Sequence, residues 1–206
     1  MPVDYTLYLV TDRNILGKRD LLESVEQAIK GGVTLVQLRE KNISSMDFYH
    51  LALKLKELTH AYHVPFIIND RLDIALAVDA DGLHIGQDDL PLPVVRSLFP
   101  GKILGYSVST VEEAQYGEQH GADYLGAGTV FWTGSKPDIG EPIGIEGLQQ
   151  IKQAVSIPVV GIGGIGPANF PAVKNTGIDG VSLISAILGN EDIENTSRNL
   201  INLWNA

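Results

Sequence analysis

The stretch INDRLDIALAVDADGLHIGQDD, residues 68–89, decides the fold of this 206-residue chain. An apolar run over 64–68 reads as a buried strand, and it stops at three polar residues, Asn69, Asp70 and Arg71. Ile74, Ala75, Leu76, Ala77 and Val78 suit a short helix. A second apolar run, Gly82-Leu83-His84-Ile85, stops at Gly86-Gln87-Asp88-Asp89. Two short strands joined by a helix form a parallel unit, whose strands lie about 5 Å apart with their C-terminal ends side by side. Asp70 and Asp89, 19 positions apart, then meet at one mouth. A carboxylate pair there suits Mg²⁺, which takes one or two carboxylates together with waters and substrate phosphates. The unit alone also allows a plainer role, with Asp70 capping the helix that follows.

The same alternation continues on both sides. Apolar runs over 5–11, 33–38, 102–107, 122–126, 158–162 and 177–183 read as further strands. Between them, Leu21, Leu22, Val25, Ala28 and Ile29 recur with helical spacing, as do Phe48, Leu51, Ala52, Leu55 and Leu58, with Ser44 or Ser45 as N-cap. Pro91 and Pro93 start a helix through Leu98, and Thr110 caps the next. Leu148, Ile151 and Val155 mark another, one more runs to about Lys174, and 193–203 closes the chain as an amphipathic helix. The strands are near-continuous apolar runs, as expected for a parallel sheet covered on both faces. An open doubly wound sheet also fits βα alternation. Eight units favour closure into a single (β/α)8 TIM barrel, one domain over 1–206, with its site at the C-terminal strand ends. Three helix-to-strand joints share a pattern: Gly32-Val33-Thr34, Gly121-Ala122-Asp123 and Gly177-Ile178-Asp179.

Composition narrows the function. Without a single cysteine, there is no disulfide, thiolate metal site or Cys nucleophile. Fifteen basic residues against 25 acidic ones leave a net charge of −10, which argues against a nucleic-acid partner. The first residues lack the charged and apolar regions of a signal peptide, and no apolar run approaches the length that spans a membrane. The expectation is a cytoplasmic protein with no membrane partner.

The unusual polar residues sit where the strands end. Gln37, Arg39 and Lys41 alternate after strand 2, and alternation in an extended segment turns all three to one side. An amide with a forked guanidinium and a point charge suits a diphosphate. Asp79-Ala80-Asp81-Gly82 looks like the start of a calcium loop, but Leu90 stands where such a loop needs its last carboxylate, so this is a helix-to-strand turn. His84, inside an apolar strand, reads as a packed, hydrogen-bonded histidine. Ser107 follows strand 5. The loop over 128–144 carries Thr133-Gly134-Ser135-Lys136, hydroxyls and a lysine that suit a phosphate. Gly163-Gly164-Ile165-Gly166 and Ile184-Ser185-Ala186 follow strands 7 and 8, where barrels frequently hold a phosphate. The mouth thus has a diphosphate–Mg²⁺ side near strands 2–4 and a monophosphate side near strands 6–8. Two phosphorylated substrates, one a diphosphate, suggest a transferase with diphosphate as leaving group.

These signatures resemble the thiamine phosphate synthase family over nearly the whole chain: LYLVTDR at 7–13, VQLREK at 36–41, INDR at 68–71, GLHIGQDD at 82–89, GYSVST at 105–110, FWTGSKPD at 131–138, VVGIGGI at 159–165 and VSLISAI at 181–187. The resemblance implies that hydroxymethylpyrimidine diphosphate and thiazole phosphate combine to thiamine phosphate, with release of pyrophosphate. It implies that Gln37, Arg39, Lys41 and Asn69 hold the pyrimidine diphosphate and that Asp70 and Asp89 bind Mg²⁺. Ser107 would lie near the pyrimidine and the departing diphosphate. Thr133, Ser135, Gly164, Ile184 and Ser185 would hold the thiazole phosphate, and Lys136 the diphosphate. Lys136, Ser107, Arg39 and Lys41 would be the catalytic set. The family's usual T-x-T-K stands here as T-G-S-K, in which Ser135 keeps the hydroxyl. Two other classes compete: an isomerase like the related thiazole tautomerases, which needs no diphosphate or metal residues, and a non-catalytic binder. A homo-oligomer is left open.

Overall fold

The computed structural model describes residues 2–134 and 141–206. Its strands are β1 (Leu7–Val10), β2 (Leu35–Leu38), β3 (Phe66–Asn69), β4 (Gly82–Ile85), β5 (Ile103–Val108), β6 (Tyr124–Gly128), β7 (Val159–Ile162) and β8 (Gly180–Leu183). They form a closed parallel barrel in sequence order, with β8 pairing back onto β1. The helices are α1 (Arg13–Leu16), α2 (Leu21–Lys30), α3 (Ser45–Ala61), α4 (Leu72–Ala77), α5 (Leu92–Leu98), α6 (Val111–Gln119), α7 (Gly144–Ala154), α8 (Phe170–Lys174), α9 (Ser185–Leu188) and α10 (Ile193–Asn205). The open-sheet alternative is thus excluded. The four-residue helices α1 and α9 go beyond what sequence periodicity indicates, because a single turn has no period to detect.

Local chemistry sets the helix starts. Ser44, not Ser45, caps α3, its Oγ accepting from the Asp47 N–H at 3.1 Å. Thr110 and Glu113 form a reciprocal capping box on α6. The proposed Asp70 cap does not form. Helix α4 starts after Arg71 without any side-chain cap, and the Asp70 carboxylate instead meets Lys41 Nζ at 2.6 Å. Asp70 has φ +62°, a left-handed conformation that Asp tolerates better than most residues, and it turns the chain away from β3.

Two apolar layers follow from strand alternation. Outward-facing residues such as Leu9, Val36, Ile68, Leu83 and Leu125 pack against the helices. Inward-facing Tyr8, Val10, Leu35, Ile67, Tyr124 and Val160 fill the barrel. Large rings fit there because β5 and β6 face them with glycines. A Cβ on Gly105 would lie 2.2 Å from Tyr124 Cζ and 2.3 Å from His84 Nδ1.

The N-terminal end of the barrel repeats one device four times. Thr34 Oγ1 accepts from the Leu7 N–H at 3.1 Å. Asp81, Asp123 and Asp179 Oδ2 accept from Phe66, Leu104 and Val159 N–H at 2.8, 2.7 and 2.8 Å. Each acceptor precedes an even-numbered strand and each donor lies at the start of the odd-numbered strand before it. Two residues before each acceptor stands one with positive φ: Gly32, Asp79, Gly121 and Gly177 at 109°, 50°, 90° and 84°. The three glycine joints are those visible in the sequence; the fourth has Asp79 where the others have glycine. Its left-handed backbone is held by Lys102 and Lys56, which reach the Asp79 carboxylate at 2.5 and 3.4 Å.

Candidate active site

The polar residues gather at the opposite, C-terminal end. Strand β2 delivers Gln37 into the barrel interior, where its Nε2 donates to the Tyr8 hydroxyl. Beyond the strand, Arg39 leans toward β1 and Lys41 toward β3. The Thr11 hydroxyl accepts from the Arg39 N–H at 3.0 Å, and Asp12 Oδ2 takes Arg39 Nη1 at 3.1 Å. Asp12 is itself fixed, because its other oxygen accepts from the Asn14 and Ile15 N–H groups at the start of α1. The guanidinium is therefore aimed by a buried, doubly hydrogen-bonded carboxylate. Next to it, Glu40 binds Arg13 Nε at 2.6 Å, which keeps that acid from neutralising Arg39.

Asn69 ends β3 opposite His84 of β4, and the Asp70 N–H donates to the His84 carbonyl at 2.8 Å. That bond carries the β3–β4 ladder one step further and sets Asp70 over the mouth. Asp89 turns back on its own loop, its Oδ2 accepting from the Gly86 N–H at 2.7 Å. The Asp89 and Asp70 carboxyls lie within hydrogen-bonding reach of each other. Burial, and then the charge of Asp70, push the Asp89 carboxyl above the usual carboxylate range. Lys41, on Asp70 at 2.6 Å, offsets the charge of the two carboxylates only in part. This is the donor chemistry that a hard divalent cation satisfies, so the pair fits Mg²⁺. Among the described residues there is no cluster of three or more His, Asp or Glu side chains that would form a self-sufficient metal cage. Phosphate oxygens and waters would complete the shell. Asp88 is exposed on the loop surface.

Across the mouth lies a cavity of about 320 Å³ between the ends of β5 to β8. Of the expected residues it brings together Ser107, Thr133, Gly164, Ile184 and Ser185. Gly163 and Gly164 have φ +98° and +63°, and a Cβ on either would collide with segment 129–132. Their absence of side chains lets that segment lie directly on the loop after β7, with the Phe131 N–H donating to the Gly163 carbonyl at 3.0 Å. Ser185 opens α9, and Ile184, Ser185 and Ala186 line the same space. Ser107 stands where the two halves meet. Its Oγ lies 2.9 Å from His84 Nε2, and its carbonyl accepts from Gln87 Nε2 at 2.8 Å. Ser135 and Lys136 lie outside the described residues.

Three groups of site residues escape sequence reasoning. Thr11 and Asp12 aim Arg39, and the run LYLVTDR at the end of β1 is the signal that could have found them. Tyr8 and Tyr124 bond polar residues of the mouth from below, but aromatic residues in apolar strands look like ordinary core. Ser182 and Glu141 line the cavity without standing in any polar cluster.

The comparisons agree with one another. A family model described as "Thiamine monophosphate synthase" matches residues 7–187. The "Thiamine-phosphate synthase" of Desulfitobacterium hafniense (strain Y51) is 61% identical over 205 residues, covering 99% of each chain. That of Clostridium novyi (strain NT) is 53% identical, covering 98% of this chain and all of its own. The solved "Thiamine phosphate pyrophosphorylase from Pyrococcus furiosus" superposes with a TM-score of 0.91 at 42% identity, covering 98% of this chain and 96% of that one. The chain belongs to the thiamine monophosphate synthase family.

Proposed function

We infer that the chain joins hydroxymethylpyrimidine diphosphate to thiazole phosphate, giving thiamine phosphate and pyrophosphate. It is a transferase of thiamine biosynthesis, as its family and its relatives at high identity indicate. The observation that carries the reading within this chain is the two-sided mouth: Arg39, Lys41, Asp70 and Asp89 on one side, a cavity of about 320 Å³ on the other, and Ser107 between them.

In the reaction, the bond between the pyrimidine's methylene carbon and the diphosphate oxygen breaks, and the electron pair leaves with the diphosphate. The aminopyrimidine delocalises the resulting positive charge, and the thiazole nitrogen closes the new C–N bond. No protein nucleophile is needed. Gln37 and Asn69 would hold the pyrimidine side, while Arg39, Lys41 and Lys136 would neutralise charge growing on the leaving group. Mg²⁺, held by Asp70 and Asp89, would supply further charge neutralisation at the diphosphate. Thr133, Ser135, Gly164, Ile184 and Ser185 would grip the thiazole phosphate and keep its nitrogen facing the methylene carbon, a proximity effect. An isomerase acting on one phosphorylated thiazole would use the cavity side alone, so the aimed Arg39 and the paired carboxylates favour the transferase. One barrel domain over 1–206 and a cytoplasmic location go with the reading, since charged phosphate esters stay in the compartment that makes them. Among the described residues no helix is long and apolar enough to cross a membrane.

The test mixes the protein with both substrates and Mg²⁺ and follows pyrophosphate. Release is expected; binding of both substrates without release would leave a non-catalytic binder instead.

A further inference from the structure

Inside the barrel, a chain of hydrogen bonds connects the two halves of the mouth. Gln37 Nε2 donates to Tyr8 Oη. Tyr8 Oη lies 2.8 Å from Tyr124 Oη, which lies 2.9 Å from His84 Nδ1. His84 Nε2 lies 2.9 Å from Ser107 Oγ. Gln37, Tyr8, Tyr124 and His84 are all buried. Five strands contribute to the line, and Gly105 and Gly126 flank it. A Cβ on Gly126 would stand 3.0 Å from His84 Cε1, and one on Gly105 would overlap both His84 and Tyr124. Neither glycine has positive φ, so what they supply here is space for the rings.

The line has a direction. An amide nitrogen has only protons to give, so the Tyr8 oxygen accepts from Gln37. Tyr8 then has one proton left, and it points to Tyr124. The proton of Tyr124 points in turn to His84 Nδ1, which must accept it. An imidazole that accepts at Nδ1 carries its proton on Nε2 and donates to Ser107 Oγ. The Ser107 proton is thereby released from internal bonding and turned to the cavity.

We propose that this chain holds His84 as the Nε2–H tautomer and so makes Ser107 a hydrogen-bond donor to substrate, with His84, Tyr124 and Tyr8 as positioning residues. The acceptor, on the functional reading above, is the pyrimidine diphosphate: a ring nitrogen or a leaving oxygen, both of which lack protons of their own.

The tautomer is read directly from ¹⁵N spectra of the histidine-labelled full chain without substrates, with the His84 signals assigned by their loss in His84→Gln. The parent should show a neutral Nε2–H ring. Tyr124→Phe, which removes one oxygen and keeps the ring, should let the Nδ1–H form appear. A parent ring protonated at Nδ1 overturns the proposal, whether or not the protein releases pyrophosphate. Kinetics supply the second readout. A glutamine amide nitrogen at position 84 reaches about where Nε2 stood, and an asparagine amide does not. His84→Asn should therefore raise KM for the pyrimidine diphosphate about tenfold over His84→Gln, the effect of roughly one hydrogen bond. In a Ser107→Ala background the gap should close. Equal effects of the two substitutions, or a gap that persists without Ser107, would contradict positioning through Ser107.

Discussion

At the N-terminal end of the barrel, Thr34, Asp81, Asp123 and Asp179 do the same job four times; at the C-terminal end no two strands finish alike. The first set ties the start of each odd-numbered strand to the turn that follows its helix. Such bonds gain from repetition, because every quarter of the barrel poses the same problem of unpaired strand amides. On the proposed function the second set gains from asymmetry, because a diphosphate, a cation and a monophosphate need different partners. Arg39 on Asp12, Lys41 on Asp70 and Asp89 above Gly86 each face a separate task. The comparison teaches where stability and chemistry can be changed independently.

The largest expected effect lies at the C-terminal end. On the proposed function, Lys41→Ala removes a charge partner of the leaving diphosphate and should lower kcat/KM by about 10²-fold. Its ion pair with Asp70 is half exposed, so the unfolding free energy should move by less than about 1 kcal/mol. Steady-state kinetics and urea titration on the same preparation check both halves. A fall in stability with unchanged kinetics would erase the division between the ends.

Asp123→Ala is the mirror experiment. It takes a charged acceptor from the Leu104 N–H and the partner of Arg96, 2.6 Å away. The expected loss is about 1–2 kcal/mol in unfolding free energy, with kcat/KM within about twofold of the parent. A large kinetic effect would show that the repeated end reaches the mouth.

Between the two ends, the interior tyrosines tie stability to alkaline pH. Burial raises the Tyr8 and Tyr124 hydroxyls above their ordinary value, and Tyr124 is also raised by its tyrosine neighbour. A raised folded value means that the native state keeps protons which the unfolded chain releases near pH 10. Their stabilisation is thus complete below about pH 10 and is lost as pH rises toward the folded values, by up to about 1.4 kcal/mol per pH unit for each group. Urea midpoints between pH 8 and 11 should fall more gently in Tyr124→Phe than in the parent. Parallel curves would mean that Tyr124 does not share in the loss.

The smallest effect is expected from Thr34→Val, which removes the one uncharged member of the repeated set. The Leu7 N–H loses a neutral acceptor, worth about 1 kcal/mol. A loss equal to that of Asp123→Ala would show that charge adds nothing to the device.

Much of this was legible from residues 68–89 outward. Strand β4 runs from Gly82 to Ile85 as its apolar run indicates, and Asp70 and Asp89 do meet. Other strands begin one to three residues inside their apolar runs, because the residue before the ladder serves the joint: Thr34, Asp123 and Asp179 lie just outside β2, β6 and β8. What sequence could not supply is contact across the barrel. Gln37, Tyr8, Tyr124, His84 and Ser107 come from five strands, and no periodicity relates them. Asp12 was hidden for a similar reason: its value lies in Arg39, which is brought beside it only by the pairing of β1 with β2.

The central claim is that both halves of the mouth serve one reaction. The most direct measurement is the rate of pyrophosphate release in the presence of Mg²⁺, with each substrate varied at fixed concentrations of the other. The account predicts release that requires both substrates, with one thiamine phosphate formed for each pyrophosphate. Release at the same rate from the pyrimidine diphosphate alone would contradict it.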